Sequence, residues 1–420
     1  MNHELSKFPY KALVVNSGSS SIKFQLFDIL SETKFKLIWK GNAQGIGSTP
    51  SYFTHILNDK KYDSKTSFVN HQTATDCILK TLLENKIVDN LSELKIIGHR
   101  VVHGGVLFTK PTIIDDAFVK NLKKIKDLAP IHIPAHVVTI EAFLQKAQAI
   151  NIAVFDTSFH QTIPELNFLY PVPLSWYQDY GVRKYGFHGI SYEYLVEKIG
   201  LILQRNSKDM NGIVCHLGNG SSVNAVKSGL SFDTTMGLTP LAGVMMGTRS
   251  GDIDPSIIQY MNQKTGKNIE EITNDLNFRS GFLGISQFSN DVRTLEEMYL
   301  SGKSNKQTKL ALNLYAKRVS EFIGRYYNTL GGKVDYLIFS GGIGENSSVI
   351  VEKILKNIQG LPIAKNYQMP QNNDWKNKEN YFVLSSNSET KVLIVKTNEE
   401  LKICETAIKL ALKNQKKINK

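Results

Sequence analysis

Cysteine is scarce in this chain: Cys77, Cys215 and Cys404 are odd in number and far apart. That pattern excludes a disulfide framework and a zinc site of paired thiolates, and it fits reduced thiols in a cytosolic protein. Cys215 lies inside the apolar run GIVCH (212–216) and is expected in the core. Long apolar runs are missing too. None reaches the roughly 18 residues of a membrane-spanning helix, so no membrane partner is expected. The opening MNHELSKFPYK has no basic segment followed by an apolar one, so no secretory signal is read and a cytoplasmic location is expected. There is no low-complexity tract, no GxxxxGK[ST] phosphate loop and no GxGxxG dinucleotide fingerprint. Lys and Arg (50) outnumber Asp and Glu (38), giving a formal charge of +12, but the excess is scattered. Without a basic stripe interleaved with aromatics, nucleic acid is not an expected partner. The densest run, KLALKNQKKINK (409–420), reads as a solvated helix end.

The 420 residues, 41% of them hydrophobic and 21% charged, suit a globular chain with a real core. At about 100–200 residues per domain, two or three domains are expected. Residues 12–29 read as strand, turn-rich loop (NSGSSS), strand, and residues 212–228 repeat that design around LGNGSS. The two units lie half a chain apart and suggest a duplication. Further strands are expected at 95–103, 151–156, 335–340 and 392–397, and helices at 73–86, 307–330 and 350–358. Strands alternating with helices predict an α/β class. The polar, Asn-rich segment 367–380 reads as a surface loop.

Several stretches carry groups suited to phosphate. NSGSSSIKF (16–24) offers short donors and Lys23, and HLGNGSS (216–222) offers Gly218 and Gly220, where a backbone can approach a ligand closely. Each alone could be a hydrophilic hairpin turn. SGGIGENSS (340–348) is a Gly-rich strand-to-helix turn with Asn346 or Ser347 as a cap, which suits a nucleotide but also an ordinary loop. Asp156 ends an apolar strand, where a general base, a metal ligand or a helix cap are all possible readings. Arg100 sits within an apolar strand and needs an anion, either a structural carboxylate or a substrate. Arg249 and His188 lie in Gly-rich loops.

In order along the chain, NSGSSSIKF, HRVVHGG, FDTSFHQTIP, YGFHGIS, HLGNGSSVNAVKSG, DTTMGLTPLAGVMMGTRSGDIDP, GGIGEN and TNEE closely resemble the acetate kinase family of short-chain acyl kinases. The resemblance runs from about residue 12 to about residue 410. It implies duplicated actin-like (ribonuclease H-like) domains flanking a nucleotide cleft, in an α/β protein that forms a homodimer. It implies one domain from residues 1–160 with 398–420, and a second, 161–397, carrying most ATP-binding loops. The implied activity is Mg²⁺- or Mn²⁺-dependent, reversible transfer of a phosphoryl group between ATP and acetate, giving acetyl phosphate and ADP.

Roles follow from the same resemblance. Asn16 and Glu399 look like the metal residues, partly through water, and Lys23 like a phosphate contact. Arg100 resembles the arginine of the substrate carboxylate, Arg249 its partner at the phosphoryl group, and Asp156 the essential carboxylate. His188 looks like a donor to the transition state, with His132 in support. His216, Leu217, Gly218, Asn219 and Gly220, then Asp291, Val292 and Arg293, then Gly342, Ile343, Gly344, Glu345 and Asn346 look like the ATP-binding segments. Val102, Ile131, Phe187 and Pro240 fall where the family builds an apolar pocket for the methyl group. Acetate is already anionic near pH 7, so Asp156 is expected to orient rather than to accept a proton.

Some positions depart from the pattern. Ile133, Pro134, Ala135 and His136 stand where the family usually has Asn-Pro-x-Asn. Ile131 stands where leucine is usual, Ile190 replaces a hydroxyl residue, and Tyr192 replaces a histidine. The competing readings are a propionate kinase and a non-catalytic ATP-binding module of the actin or heat-shock type. Val102 favours the smaller acid, and the arginine–aspartate–histidine set argues against a module.

Overall fold

Alternating side chains build the first hairpin. In β2 (Ser21–Ile29), Ile22, Phe24 and Leu26 are buried while Lys23 faces out, and β1 (Tyr10–Ser17) is apolar on both faces because it lies inside a sheet. The structure, a computed structural model, describes residues 5, 7–371, 374–385 and 388–418. The chain divides into two compact units, residues 1–158 with 398–420 and residues 159–397.

The first unit adds β3 (Phe35–Gln44), β4 (Ser51–Leu57), β5 (Lys60–Thr66), β6 (Leu94–Val101), β7 (Thr112–Ile113) and β8 (Ile150–Phe155), in the order β5-β4-β3-β2-β1-β6-β8-β7. The second has β9 (Gly212–Leu217), β10 (Ser221–Lys227), β11 (Leu230–Thr234), β12 (Tyr336–Ser340), β13 (Tyr381–Ser385) and β14 (Lys391–Val395), ordered β11-β10-β9-β12-β14-β13. In both, an antiparallel three-strand meander (β1–β3, β9–β11) is extended by two parallel strands (β6 and β8; β12 and β14) and closed by an antiparallel edge. The shared order and strand sense bear out the duplication suggested by the two hairpins. They agree with the mixed α/β, actin-like class.

Helices cover both faces of each sheet. In the first unit, His71–Glu84 and Ile133–Lys146 cover a core of Leu13, Val15, Phe24, Ile78 and Phe143. The helix Glu399–Ile418 packs on β1, β6 and β8. Gly98 permits that approach, since a Cβ there would lie 2.8 Å from Ile403 Cγ2. In the second unit, Lys306–Thr329 and Ser348–Asn357 bury Tyr315, Ile323 and Ile354 on one face, and Gly189–Ile202 buries Tyr192 and Leu195 on the other. Cys215 is fully buried, as expected.

Every strand and helix read from the sequence is present within a few residues of its predicted bounds. Strands β3 to β5 were not anticipated, because their polar faces hide the pattern: six of the seven residues of β5 are exposed and the seventh half-buried. Segment 367–380 is corrected in part. Tyr367 and Met369 pack on the core and Trp375 is buried, so these large apolar groups override the polar composition around them. Residues 372–373 of that segment lie outside the described residues.

Candidate active site

Parallel pairing of β1, β6 and β8 puts their C-terminal ends on one edge of the first unit's sheet, and Asn16, Arg100 and Asp156 sit at those ends. Arg100 donates from Nε to Asp156 Oδ1 (2.9 Å) and from Nη2 to Oδ2 (2.6 Å), a two-bond fork, and from Nη1 to Asn16 Oδ1 (3.0 Å). Asn16 Nδ2 in turn donates to Glu400 Oε1 (3.2 Å). Burial alone would favour the neutral guanidine, but the Asp156 carboxylate reverses that and holds Arg100 firmly charged. The structure therefore gives Arg100 a structural carboxylate, and Asp156 is its partner rather than a cap.

Glu399 and Glu400 open the helix Glu399–Ile418. Burial, with Asp156 and Glu400 nearby, pushes the Glu399 carboxyl up to about 7, against the pull of Arg100 and Lys23. Lys23 is exposed on β2, opposite Asn16 in the ladder. Val102 follows β6, is buried, and donates its amide to His136 Nε2 (3.2 Å). Burial holds that imidazole neutral, with His132 and Arg100 adding to the effect. His132 occupies the N-cap position of the helix Ile133–Lys146, its ring 6.4 Å from that of His136, and Ile131 is exposed. His71 Nε2 donates to the Gly18 carbonyl (2.8 Å), fixing the turn between β1 and β2.

In the second unit, the loops after β9 and β12 and the turn before the helix Val292–Leu300 converge. Gly218, Asn219, Asp291, Val292, Arg293, Gly342, Ile343 and Asn346 line one cavity of about 760 Å³, joined by Asn290, Glu296 and Ser347. That volume suits a small-molecule ligand. Residues Gly341–Asn346 form a helical turn at the end of β12, and Ser347 caps the next helix by accepting from the Ile350 amide. Glu345 is not on the cavity wall. Its Oε1 accepts from the amides of Gly341 and Thr397, tying β12 to the segment after β14.

Beside these loops stand a histidine pair and an arginine. His188 stacks on His216 with ring centroids 4.3 Å apart, and its Nδ1 lies 2.8 Å from Ser222 Oγ. A Cβ on Gly220 would lie 3.5 Å from both His188 Nε2 and Arg249 Nη1, so both groups bracket that glycine. Arg249 is half-buried. It donates from Nη1 to the Pro240 carbonyl (3.3 Å), and burial lowers its proton affinity. Among the described residues no carboxylate pairs with it. Phe187 is buried and Pro240 half-buried in this unit.

The family model for the acetokinase family matches residues 11–405. The chain belongs to the acetokinase family. It is 44% identical to the acetate kinase of Geobacillus sp. (strain WCH70) and 43% identical to that of Bacillus subtilis (strain 168), each over 402 residues, 96% of this chain and 99% of the relative. Among solved structures it resembles Porphyromonas gingivalis acetate kinase (TM-score 0.84, 32% identity, 96% of this chain and all of the other). It also resembles a propionate kinase from Francisella tularensis subsp. tularensis SCHU S4 (TM-score 0.84, 36% identity, 94% and 98%).

Within this acetokinase, the residues singled out from the sequence fall into two sets. Asn16, Lys23, Arg100, Val102, Ile131, His132, Asp156 and Glu399 belong to the first unit. Phe187, His188, Pro240, Arg249 and the three loop segments belong to the second. Sequence reasoning missed Asn290 and Glu296, and quoted Glu400 and Ser222 only within TNEE and HLGNGSS, without a role for either. Glu296 was within reach, lying one helical turn beyond Val292. Ser222 was not, because only the pairing of β10 with β9 puts it opposite His216.

Proposed function

We propose that the chain catalyses reversible phosphoryl transfer between ATP and acetate, giving acetyl phosphate and ADP. The observation that carries this reading is Arg249: a half-buried guanidinium without a carboxylate partner, beside His188 and the glycine loop that borders the cavity. A buried cation without a counter-ion calls for an anionic ligand, and a phosphoryl group supplies one.

The cavity of the second unit takes the nucleotide, with the amides of Gly218–Gly220 and Gly342–Asn346 toward its phosphates. Arg249 and the His188 ring donate to the equatorial oxygens as charge spreads over them. Arg100 spends three of its five N–H donors on Asp156 and Asn16, leaving two for the acyl carboxylate. Asp156, with both oxygens held by that fork, orients Arg100 rather than accepting a proton. An acetate oxygen attacks the γ-phosphorus in line. The bond to the bridging oxygen breaks and its electron pair leaves with ADP, and no proton need move.

A divalent cation fits the donors of the first unit. Asn16 and Glu399 offer oxygen ligands suited to Mg²⁺ or Mn²⁺, and the Glu399 carboxyl, raised chiefly by burial and further by Asp156 and Glu400, would be held ionised by a cation beside it. Among the described residues no cluster of three or more His, Cys, Asp or Glu side chains is placed to hold a metal, so Asn16 and Glu399 would hold the ion together with water. When bound, such an ion would supply positive charge to the phosphates.

Val102, buried at the end of β6, favours acetate over propionate. The enzyme works in the cytoplasm, where Cys215 and Cys404 stay buried and reduced. No helix among the described residues is long and apolar enough to cross a membrane. A homodimer is the assembly, and Leu166, Leu174, Trp176 and Tyr180 of the second unit are exposed apolar side chains available to such a contact. Hydroxamate assay of acyl phosphate with acetate, propionate and butyrate tests the activity. ATP binding without any acyl phosphate formed would refute it.

A further inference from the structure

His188 precedes the helix Gly189–Ile202 with a left-handed backbone, φ 58°. A non-glycine residue held there is unusual and its ring direction is set by the surroundings. Its Nδ1 meets Ser222 Oγ at 2.8 Å. Tyr192, one turn further along the helix and fully buried, places its hydroxyl on that same Ser222 Oγ.

Counting protons orders this chain. The Tyr192 hydroxyl is fully buried and Ser222 Oγ is its hydrogen-bond neighbour among the described residues, so the phenolic proton goes to Ser222 Oγ. The serine proton then goes to its other neighbour, His188 Nδ1. A neutral imidazole that accepts at Nδ1 carries its proton on Nε2, the nitrogen beside Gly220 and Arg249.

We infer that Tyr192 is a positioning residue for phosphoryl transfer: through Ser222 it fixes His188 as the Nε2–H tautomer, so that this N–H faces the phosphoryl oxygens. The inference rests on the reading of His188 as a donor to the transferring group. Tyr192 stands where the family resemblance places a histidine. Outer partners that set a histidine tautomer typically matter for activity without touching substrate.

Two measurements test it. The first is the nitrogen-15 spectrum of the imidazoles in the full-length protein, with the His188 signals assigned by their loss in His188→Gln. The second is steady-state kinetics of Tyr192→Phe, Tyr192→His and Ser222→Ala. The expected result is His188 protonated on Nε2. Tyr192→Phe should lower kcat about tenfold, with KM for acetate and ATP within about twofold, and Tyr192→His should restore most of it. A proton on Nδ1 in the unaltered protein overturns the inference, as does a Tyr192→Phe enzyme with unchanged kcat and tautomer. Should Tyr192→Phe fail to fold, the wild-type spectrum and Ser222→Ala decide by the same criteria. Full activity in His188→Gln, with the Nε2–H tautomer seen in the wild type, would sink the donor reading of His188 separately.

Discussion

Arg100 and Asp156 are joined by two parallel hydrogen bonds, 2.9 and 2.6 Å long, across the adjacent ends of β6 and β8. The Asp156 side chain is 1% exposed and that of Arg100 is 18% exposed, so the pair is shielded from solvent. Removing one partner leaves the other charge buried alone. Asp156→Asn should lower kcat by about 10²–10³-fold. It should also cost about 3 kcal/mol of unfolding free energy. A coupled assay and urea denaturation check the two effects.

Arg249 differs from Arg100 in having no carboxylate partner among the described residues, so its loss should spare the fold and strike the chemistry. Arg249→Ala should cut kcat by about 10³-fold, with the denaturation midpoint nearly unchanged. Sub-denaturing guanidinium should restore part of the activity. An unaltered kcat would remove Arg249 from the phosphoryl site.

Glu399 sets an acid-side behaviour. Its folded carboxyl is pushed up to about 7 from 4.5, so the metal-free fold binds that proton more tightly than the unfolded chain does. The resulting stability is full below about 4.5 and is lost as pH rises through about 7. Divalent cation needs the ionised carboxylate, so Mg²⁺ should raise Tm more above that window than below it. Thermal unfolding with and without Mg²⁺ reads both trends, and Glu399→Gln should flatten both.

Val102 sets acyl selectivity if it walls the methyl pocket. Val102→Ala opens room for one methylene, which should shift the propionate-to-acetate ratio of kcat/KM by about tenfold toward propionate. An unchanged ratio would move the pocket elsewhere.

Trp176 and Tyr180 lie exposed on the short helix Leu174–Tyr180. Trp176→Glu should shift sedimentation velocity from dimer to monomer at micromolar protein, because a charge in an apolar interface is costly. A dimer that persists would place the contact on another surface.

Much of this was legible in the chain itself. The glycine turns, the two strand–loop–strand units and the helix at 306–329 have local causes, namely apolar periodicity and turn chemistry, and these survive in any window of sequence. Arg100 could be flagged as a charge within an apolar strand, yet substrate and structural carboxylate remained equal readings until β8 appeared beside β6. Strand β5 was hidden because an exposed sheet edge carries little hydrophobic signal.

The sequence by itself pointed to the α/β class and, through its two strand–loop–strand units, suggested the duplication, since apolar periodicity and turn chemistry are local; the candidate site residues came from the family resemblance. Only the tertiary structure decided which of them act together. Asn16, Arg100 and Asp156 meet because β1, β6 and β8 are neighbours in one parallel run, although the bonded pairs lie 84 and 56 residues apart. Tyr192, Ser222 and His188 meet because a helix crosses the β9–β10 ladder at one turn. Strand order and helix placement are non-local choices made by the packing of the whole core, and no local pattern encodes them.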